Sequence, residues 1–167
     1  AEGEMGWDDL AARIPGRMLL ATGRRGPNPE GRSLKAWSAH FAEVEVDPDL
    51  GEVRVKEVVA AHDSGRVVSP TTWRSQVTGG VIQGIGFVLM EQRELDARLG
   101  VQLNPRFVDY LVPTLADAPR IEVVDAHVPY PGNDVGAKGV AEPANACTPP
   151  AVANAVKDAI GLRITHL

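Results

Sequence analysis

From Ser38 onward, apolar and polar positions interleave in a regular way. Ala39, Phe41, Val44 and Val46, then Val53, Val55, Val58 and Val59, recur with a period near two on either side of Asp47-Pro48-Asp49-Leu50-Gly51. Those five residues have turn chemistry, so the pattern predicts a β-hairpin. His62-Asp63-Ser64-Gly65-Arg66 reads as a polar loop, and Ser69-Pro70 as a helix start, with Ser69 as N-cap and Pro70 in the first turn. The spacing predicts a helix over 70–92: Trp73, Val77, Val81, Ile85 and Val88 form one stripe, widened by Ile82 and Leu89. Residues 93–105 read as a polar loop, and 107–118 mix apolar and proline positions without a clear period. Ile121, Val123, Ala126 and Val128 predict a further strand, ended by Pro129-Tyr130-Pro131-Gly132-Asn133-Asp134. In the last helix Thr148 is the expected cap and Pro149 the first residue. Val152, Val156, Ala159 and Ile160 line one side, and Gly161 ends it.

Residues 1–37 read differently. Trp7, Leu10, Ile14 and Met18 are sparse apolar positions, and Pro15-Gly16 interrupts any helix there. Thr22 to Arg32 is rich in Gly, Pro and Asn, and Pro27 and Pro29 block regular hydrogen bonding. The expected organisation is an N-terminal arm or connector over 1–37 and a domain over 38–167. The expected fold class is α+β, with the hairpin and further strands packed against two main helices.

Composition narrows the functional classes. The 167 residues carry a net charge of −5 with 44% hydrophobic positions, which suits a folded chain with a real core. An acidic balance with no Lys/Arg-rich run argues against nucleic-acid binding. A single cysteine, Cys147, excludes an internal disulfide framework and a Cys-rich zinc site. No apolar stretch is long enough to span a bilayer. The chain begins at Ala1 and shows no signal-peptide pattern, as expected of a processed chain or a piece of a longer one. The absence of an export signal points to the cytoplasm.

Few residues suggest chemistry by motif alone. His40, His62, His127 and His166 show no metal-binding spacing, so no metal site is expected from this chain, and His40 and His127 read as strand residues. Cys147 is either a small apolar residue or a thiolate aided by a nearby helix start. Gly79, Gly80, Gly84 and Gly86 fall inside one predicted helix, where each costs about 1 kcal/mol relative to alanine. Such a cluster implies close approach by another backbone or by a ligand. Its setting fits neither a Walker A loop nor a dinucleotide fingerprint, so a free-standing nucleotide-binding enzyme lacks its phosphate-loop motif, and a binding titration with ATP or NAD would test that reading. The loop Gly136 to Pro143 can hold an anion on its backbone N–H groups, with Lys138 adding charge. Glu142 at its end is either a water-exposed carboxylate or a general base.

The order of segments resembles the C-terminal part of the molybdenum-binding subunit of the xanthine dehydrogenase/aldehyde oxidase family. Ala39 to Asp47 with Gly51-Glu52-Val53 is similar to that family's hairpin. Asp63-Ser64-Gly65 through Ser69-Pro70 resembles its "D-x-G-x-x-x-N-P" stretch, with serine in place of asparagine. Gly79-Gly80-Val81-Ile82-Gln83-Gly84-Ile85-Gly86 resembles "GGxxQGxG", and Asp109-Tyr110, Pro113-Thr114 and Pro119-x-Ile121 follow "DY…PT…P-x-I". Gly136-Ala137-Lys138-Gly139 through Glu142, with Pro150-Ala151-Val152-Ala153-Asn154-Ala155, resembles "GxKGxGE…PAVANA", with Ala141 where glycine usually precedes the glutamate.

The resemblance implies part of a molybdenum hydroxylase, an oxidoreductase that hydroxylates a carbon of an N-heterocycle or an aldehyde with oxygen from water. Glu142 matches the glutamate that acts as general base on the molybdenum-bound hydroxyl. Gln83 matches the glutamine that helps hold the pterin of the molybdenum cofactor, which is molybdopterin or its dinucleotide form. Lys138, Gly139 and Val140 are expected cofactor contacts because they lie beside Glu142. The implied partners are the rest of the molybdenum subunit, an iron–sulfur subunit carrying 2Fe-2S clusters and a flavin subunit carrying FAD. Complexes of this family are also exported with a partner that bears the signal. The rival reading is a non-catalytic structural subunit or split remnant of such an enzyme.

Overall fold

In a computed structural model, the structure describes residues 4–24 and 35–165. The chain divides into two units, Ala1–Arg32 and Ser33–Leu167. Among its described residues, the first holds one short helix, α1 (Trp7–Ala12), and a single 3-10 turn at Pro15–Arg17 that Gly16 enters with a φ of 69°. Asp8 and Asp9 stand in the first turn of α1, and none of its residues is buried. Most of the Gly/Pro-rich run at 22–32 lies outside the described residues, as does His166.

The second unit is built on the predicted hairpin. Strands β1 (Trp37–Asp47) and β2 (Glu52–Asp63) pair antiparallel, and Asp47 shapes the turn by accepting the Asp49 and Leu50 amides at 3.0 Å each. Gly51 closes the turn at a φ of 71°. Glu43 stands opposite Glu57 but Val44 opposite Val55, so Lys56 is the extra residue of a bulge. The bulge moves the inward face of β2 from odd positions (Val53, Val55) to even ones (Val58, Ala60, His62). This is why the valines break strict alternation in the sequence.

After β2 the chain enters α2 (Pro70–Leu89), slightly shorter than predicted. Ser69 does occupy the N-cap position, but its side chain makes no capping bond; Thr72 Oγ1 instead donates to the Ser69 carbonyl at 3.2 Å. Within the polar segment that follows, β3 (Leu95–Asp96) and β4 (Val101–Gln102) form a small antiparallel pair. Asp96 accepts the Arg98 and Leu99 amides in its turn, and Gly100 takes a φ of 66°. Strand β5 (Arg120–Asp125) adds to β2 in parallel, giving the sheet order β1-β2-β5.

The last helix departs from the sequence reading. α3 runs over Ala141–Ile160, so Thr148, Pro149 and Pro150 lie inside it and Thr148 is not its cap. Proline at 149 and 150 removes the bonds to the carbonyls of residues 145 and 146. What keeps the helix continuous is its buried face: Ala144, Thr148, Val152 and Val156 recur every four residues and pack inward, whereas Ala159 and Ile160 are exposed. Gly161 caps it in a left-handed conformation, as expected.

Helices α2 and α3 pack against each other, and α3 lies along β1. Val55, Val58 and Ala60 from β2, Val123 from β5, Trp73, Val77, Val81 and Ile85 from α2, and Ala144 and Val152 from α3 form the core. The fold is α+β, with a mixed three-stranded sheet and two long helices. Among the described residues, no helix is long and apolar enough to cross a membrane.

Candidate functional site

The α2–α3 contact is the frame of the site, and glycine makes it possible. A Cβ on Gly80 would stand 2.6 Å from Ala144 Cβ, and one on Gly84 would stand 2.6 Å from Thr148 Cβ. Of the two readings open for the glycine cluster, close approach of another backbone accounts for these two positions. Gly86 is crowded instead by Pro113, whereas a Cβ on Gly79 would meet nothing within 4 Å.

A largely buried polar chain, with His40 half-buried at its middle, runs from the sheet to α3 beside this contact. His62, 1% exposed, places Nε2 2.8 Å from His40 Nε2, and His40 Nδ1 lies 3.0 Å from Thr148 Oγ1. Thr148 spends its own proton on the Ala144 carbonyl at 3.0 Å, so His40 must donate from Nδ1. Neutral His40 then accepts at Nε2, and His62 donates from its Nε2. Burial, with the neighbouring His62 charge adding to it, lowers the His40 pKa from 6.5 to about 4, and burial lowers that of His62 as well. His62 therefore belongs to β2 and to the interior, not to a polar loop. His127, expected in a strand, lies just past β5 at a φ of 53° and pairs with Asp125 at 3.1 Å.

Glu142 sits in the first turn of α3 and not in the loop before it. An acidic residue there complements the helix dipole. Its side chain is exposed, while the backbone around it is held: Ser38 Oγ donates to the Pro143 carbonyl at 3.0 Å. Gln83, exposed on α2, accepts a hydrogen bond from Asn145 Nδ2 at 3.3 Å. Asn145 is three residues beyond Glu142 on the same helix, hence on a neighbouring part of its surface. The glycine contact therefore brings Gln83 toward the start of α3, where Glu142 stands.

The loop before α3 is strapped to the loop after β2. Arg66 N–H donates to the Gly136 carbonyl at 2.7 Å, and Lys138 N–H to the Ser64 carbonyl at 2.8 Å. Ser64 Oγ accepts the indole N–H of Trp73 at 2.9 Å, which fastens the strap to α2. The Lys138 ammonium turns inward, pairs with Asp63 and donates to the Lys35 carbonyl at 3.2 Å. Its nitrogen also lies 5.4 Å from the centre of the Tyr130 ring. Gly139 is exposed, with nothing within 4 Å of where a Cβ would stand, and Val140 packs against the core. Cys147 is half-buried inside α3, past its first turn, with Sγ 2.8 Å from Ser38 Oγ. Among the described residues, no group of three or more His, Cys, Asp or Glu side chains could hold a metal ion.

The sequence reading singled out Gln83, Lys138, Gly139, Val140 and Glu142. It missed Asp63 as the partner of Lys138, Asn145 as the link to Gln83, and the His40–His62 pair. The one available signal was the run of residues from Asp63 to Gly65, which marked a special loop without naming what it holds.

Residues 2–119 match a family described as "molybdopterin cofactor-binding domain". The xanthine dehydrogenase molybdenum-binding subunit of Escherichia coli O157:H7 is 36% identical over 132 residues, covering 79% of this chain. The aldehyde oxidoreductase molybdenum-binding subunit PaoC of Escherichia coli (strain K12) is 40% identical over 129 residues, covering 77%. Each match takes up 18% of the relative, so the chain spans about a fifth of the length of these curated relatives. Among solved structures, quinoline 2-oxidoreductase from Pseudomonas putida 86 superposes with a TM-score of 0.69 at 35% identity, covering 73% of this chain and 15% of that one.

Proposed function

Because this chain belongs to the molybdopterin cofactor-binding domain family, whose relatives are subunits of molybdenum oxidoreductases, we propose that it forms one wall of a molybdenum hydroxylase active site and that Glu142 is the general base there. The observation that carries this reading is the meeting of α2 and α3. Gln83, bonded to Asn145, and Glu142 lie on adjoining parts of a surface held by the Gly80–Ala144 and Gly84–Thr148 contacts.

The residues present fit a large polar cofactor lying across them. The exposed Gln83 amide offers both a donor and an acceptor, as a pterin edge requires, and Gly139 leaves its backbone uncovered. Gln83 would hold the cofactor from α2, and the strip Lys138-Gly139-Val140 from the loop. Lys138 would contribute main chain there, since its ammonium is engaged by Asp63. The metal would be held by the cofactor itself and by other parts of the assembly.

Replacing a C–H bond by C–OH with oxygen from water releases two electrons and two protons. The cofactor supplies the two-electron acceptor. Glu142 takes up a proton from the water-derived nucleophile at its carboxylate as the C–O bond forms. A base acts only when ionised, so turnover falls on the acid side of the profile. The substrate is an N-heterocycle or an aldehyde. The 2Fe-2S clusters and FAD that carry the electrons away belong to partner chains, and the remaining cofactor contacts belong to the rest of the molybdenum subunit.

The test is Glu142→Gln in the assembled enzyme. The expected result is a loss of about 10²–10⁴-fold in kcat with molybdenum occupancy unchanged. Near-normal turnover would refute the assignment of the base and favour a non-catalytic structural role.

A further inference from the structure

We infer that the Asp63–Lys138 ion pair is a positioning device for Glu142, acting through the loop 136–140. The inference rests on Glu142 being the base. Asp63 closes β2 and Lys138 precedes Glu142 by four residues, yet the pair is almost fully enclosed: the side chains are 8% and 10% exposed. Asp63 also accepts the Gly65 amide at 3.3 Å, which shapes the loop after β2. Around the pair, the Arg66–Gly136 and Lys138–Ser64 backbone bonds make a two-bond ladder between the loops. Gly65 sits within it at a φ of 63°, where a Cβ would run into the Gly136 carbonyl oxygen.

An enclosed ion pair is a poor way to gain stability, because desolvation of both charges offsets their attraction. What it does supply is directional hydrogen bonding that apolar residues of the same size lack. Here that direction fixes the loop four residues before the active carboxylate. Beyond Lys138, Gly139 is uncovered, and Val140, packed against the core, has the non-helical torsions of an N-cap, so where Lys138 is held helps to set the entry of the chain into α3. On the far side of Glu142, the Ser38–Pro143 bond is the second tether. The exposed carboxylate thus hangs between two fixed points, and Lys138 is the one that needs a buried counter-charge to stay in place.

The experiment is a double-mutant cycle in the assembled holoenzyme, with Lys138→Met, Glu142→Gln and the double variant, and turnover expressed per bound molybdenum. Lys138→Met is expected to lower kcat about 10–100-fold with little change in KM, as for a misplaced catalytic group. It is also expected to speed amide hydrogen exchange at 139–142 while α2 is unaffected. Lys138→Arg should recover most of the rate. In the double variant, loss of Lys138 should cost nothing beyond Glu142→Gln alone. If Lys138→Met lowers turnover by the same factor in both backgrounds, the positioning role is overturned while the base assignment stands. If Glu142→Gln is itself near normal, the base assignment fails and this inference with it. Should Lys138→Met not assemble, Asp63→Asn, which keeps the side-chain shape, is carried through the same cycle. Unchanged kcat per molybdenum and unchanged exchange there would overturn the proposal.

Discussion

The Nε2 atoms of buried His62 and half-buried His40 lie 2.8 Å apart and share one proton between two neutral rings. Because the His40 pKa falls from 6.5 to about 4 on folding, the unfolded chain takes up more protons than the folded one between those values. The stability this pair contributes is therefore fully present above pH 6.5 and is lost as pH falls from about 6.5 toward 4. His62, shifted in the same direction by burial, adds to the trend. Thermal melts from pH 7.5 to 4.5 should show a steeper fall for the wild type than for His40→Gln. Parallel profiles would contradict the pairing.

Two glycines of α2, five residues apart, should respond in opposite directions to alanine. At Gly84 the new methyl would collide with Thr148 Cβ and approach the Asn145 carbonyl at 3.1 Å, so the helices must separate. After the gain in helix propensity, the net cost is about 1–2 kcal/mol. At the exposed Gly79 nothing stands in the way, and alanine should stabilise by up to about 1 kcal/mol. Denaturant titration of both variants measures the pair of signs.

Ser64→Ala should cost about 1–3 kcal/mol, because the indole N–H of the buried Trp73 would lose its acceptor. Trp73→Phe in the same background should add less than it does alone, since the orphaned donor has already been removed. A double-mutant cycle on the melting free energies reads this coupling. Additive losses would show that the bond carries no weight.

The local elements were legible in the sequence wherever a period recurred without interruption. The hairpin, α2 and the Gly161 cap follow from alternation, helical spacing and a left-handed glycine. The start of α3 did not, because Thr148-Pro149 has the chemistry of a helix start, and only the packing of Ala144 and Thr148 on Gly80 and Gly84 overrides it. The Val55–Val58 irregularity was visible, but it is the pairing with Val44 and Ala42 that turns it into a bulge. At the proposed site, Glu142 and Gln83 are assigned through resemblance alone. Their supports are not, since Lys138 and Asp63 stand 75 positions apart and His40 and His62 belong to different strands. Such pairs have no local period, and only the folded chain brings them together.

The central claim is that this chain completes a molybdenum hydroxylase site, and metal analysis of the complex purified natively through this chain tests it most directly. Molybdenum and pterin should co-elute with the chain in a fixed ratio, and the same preparation should contain the remainder of the molybdenum-binding subunit. A homogeneous native complex that holds this chain but no molybdenum would contradict the account.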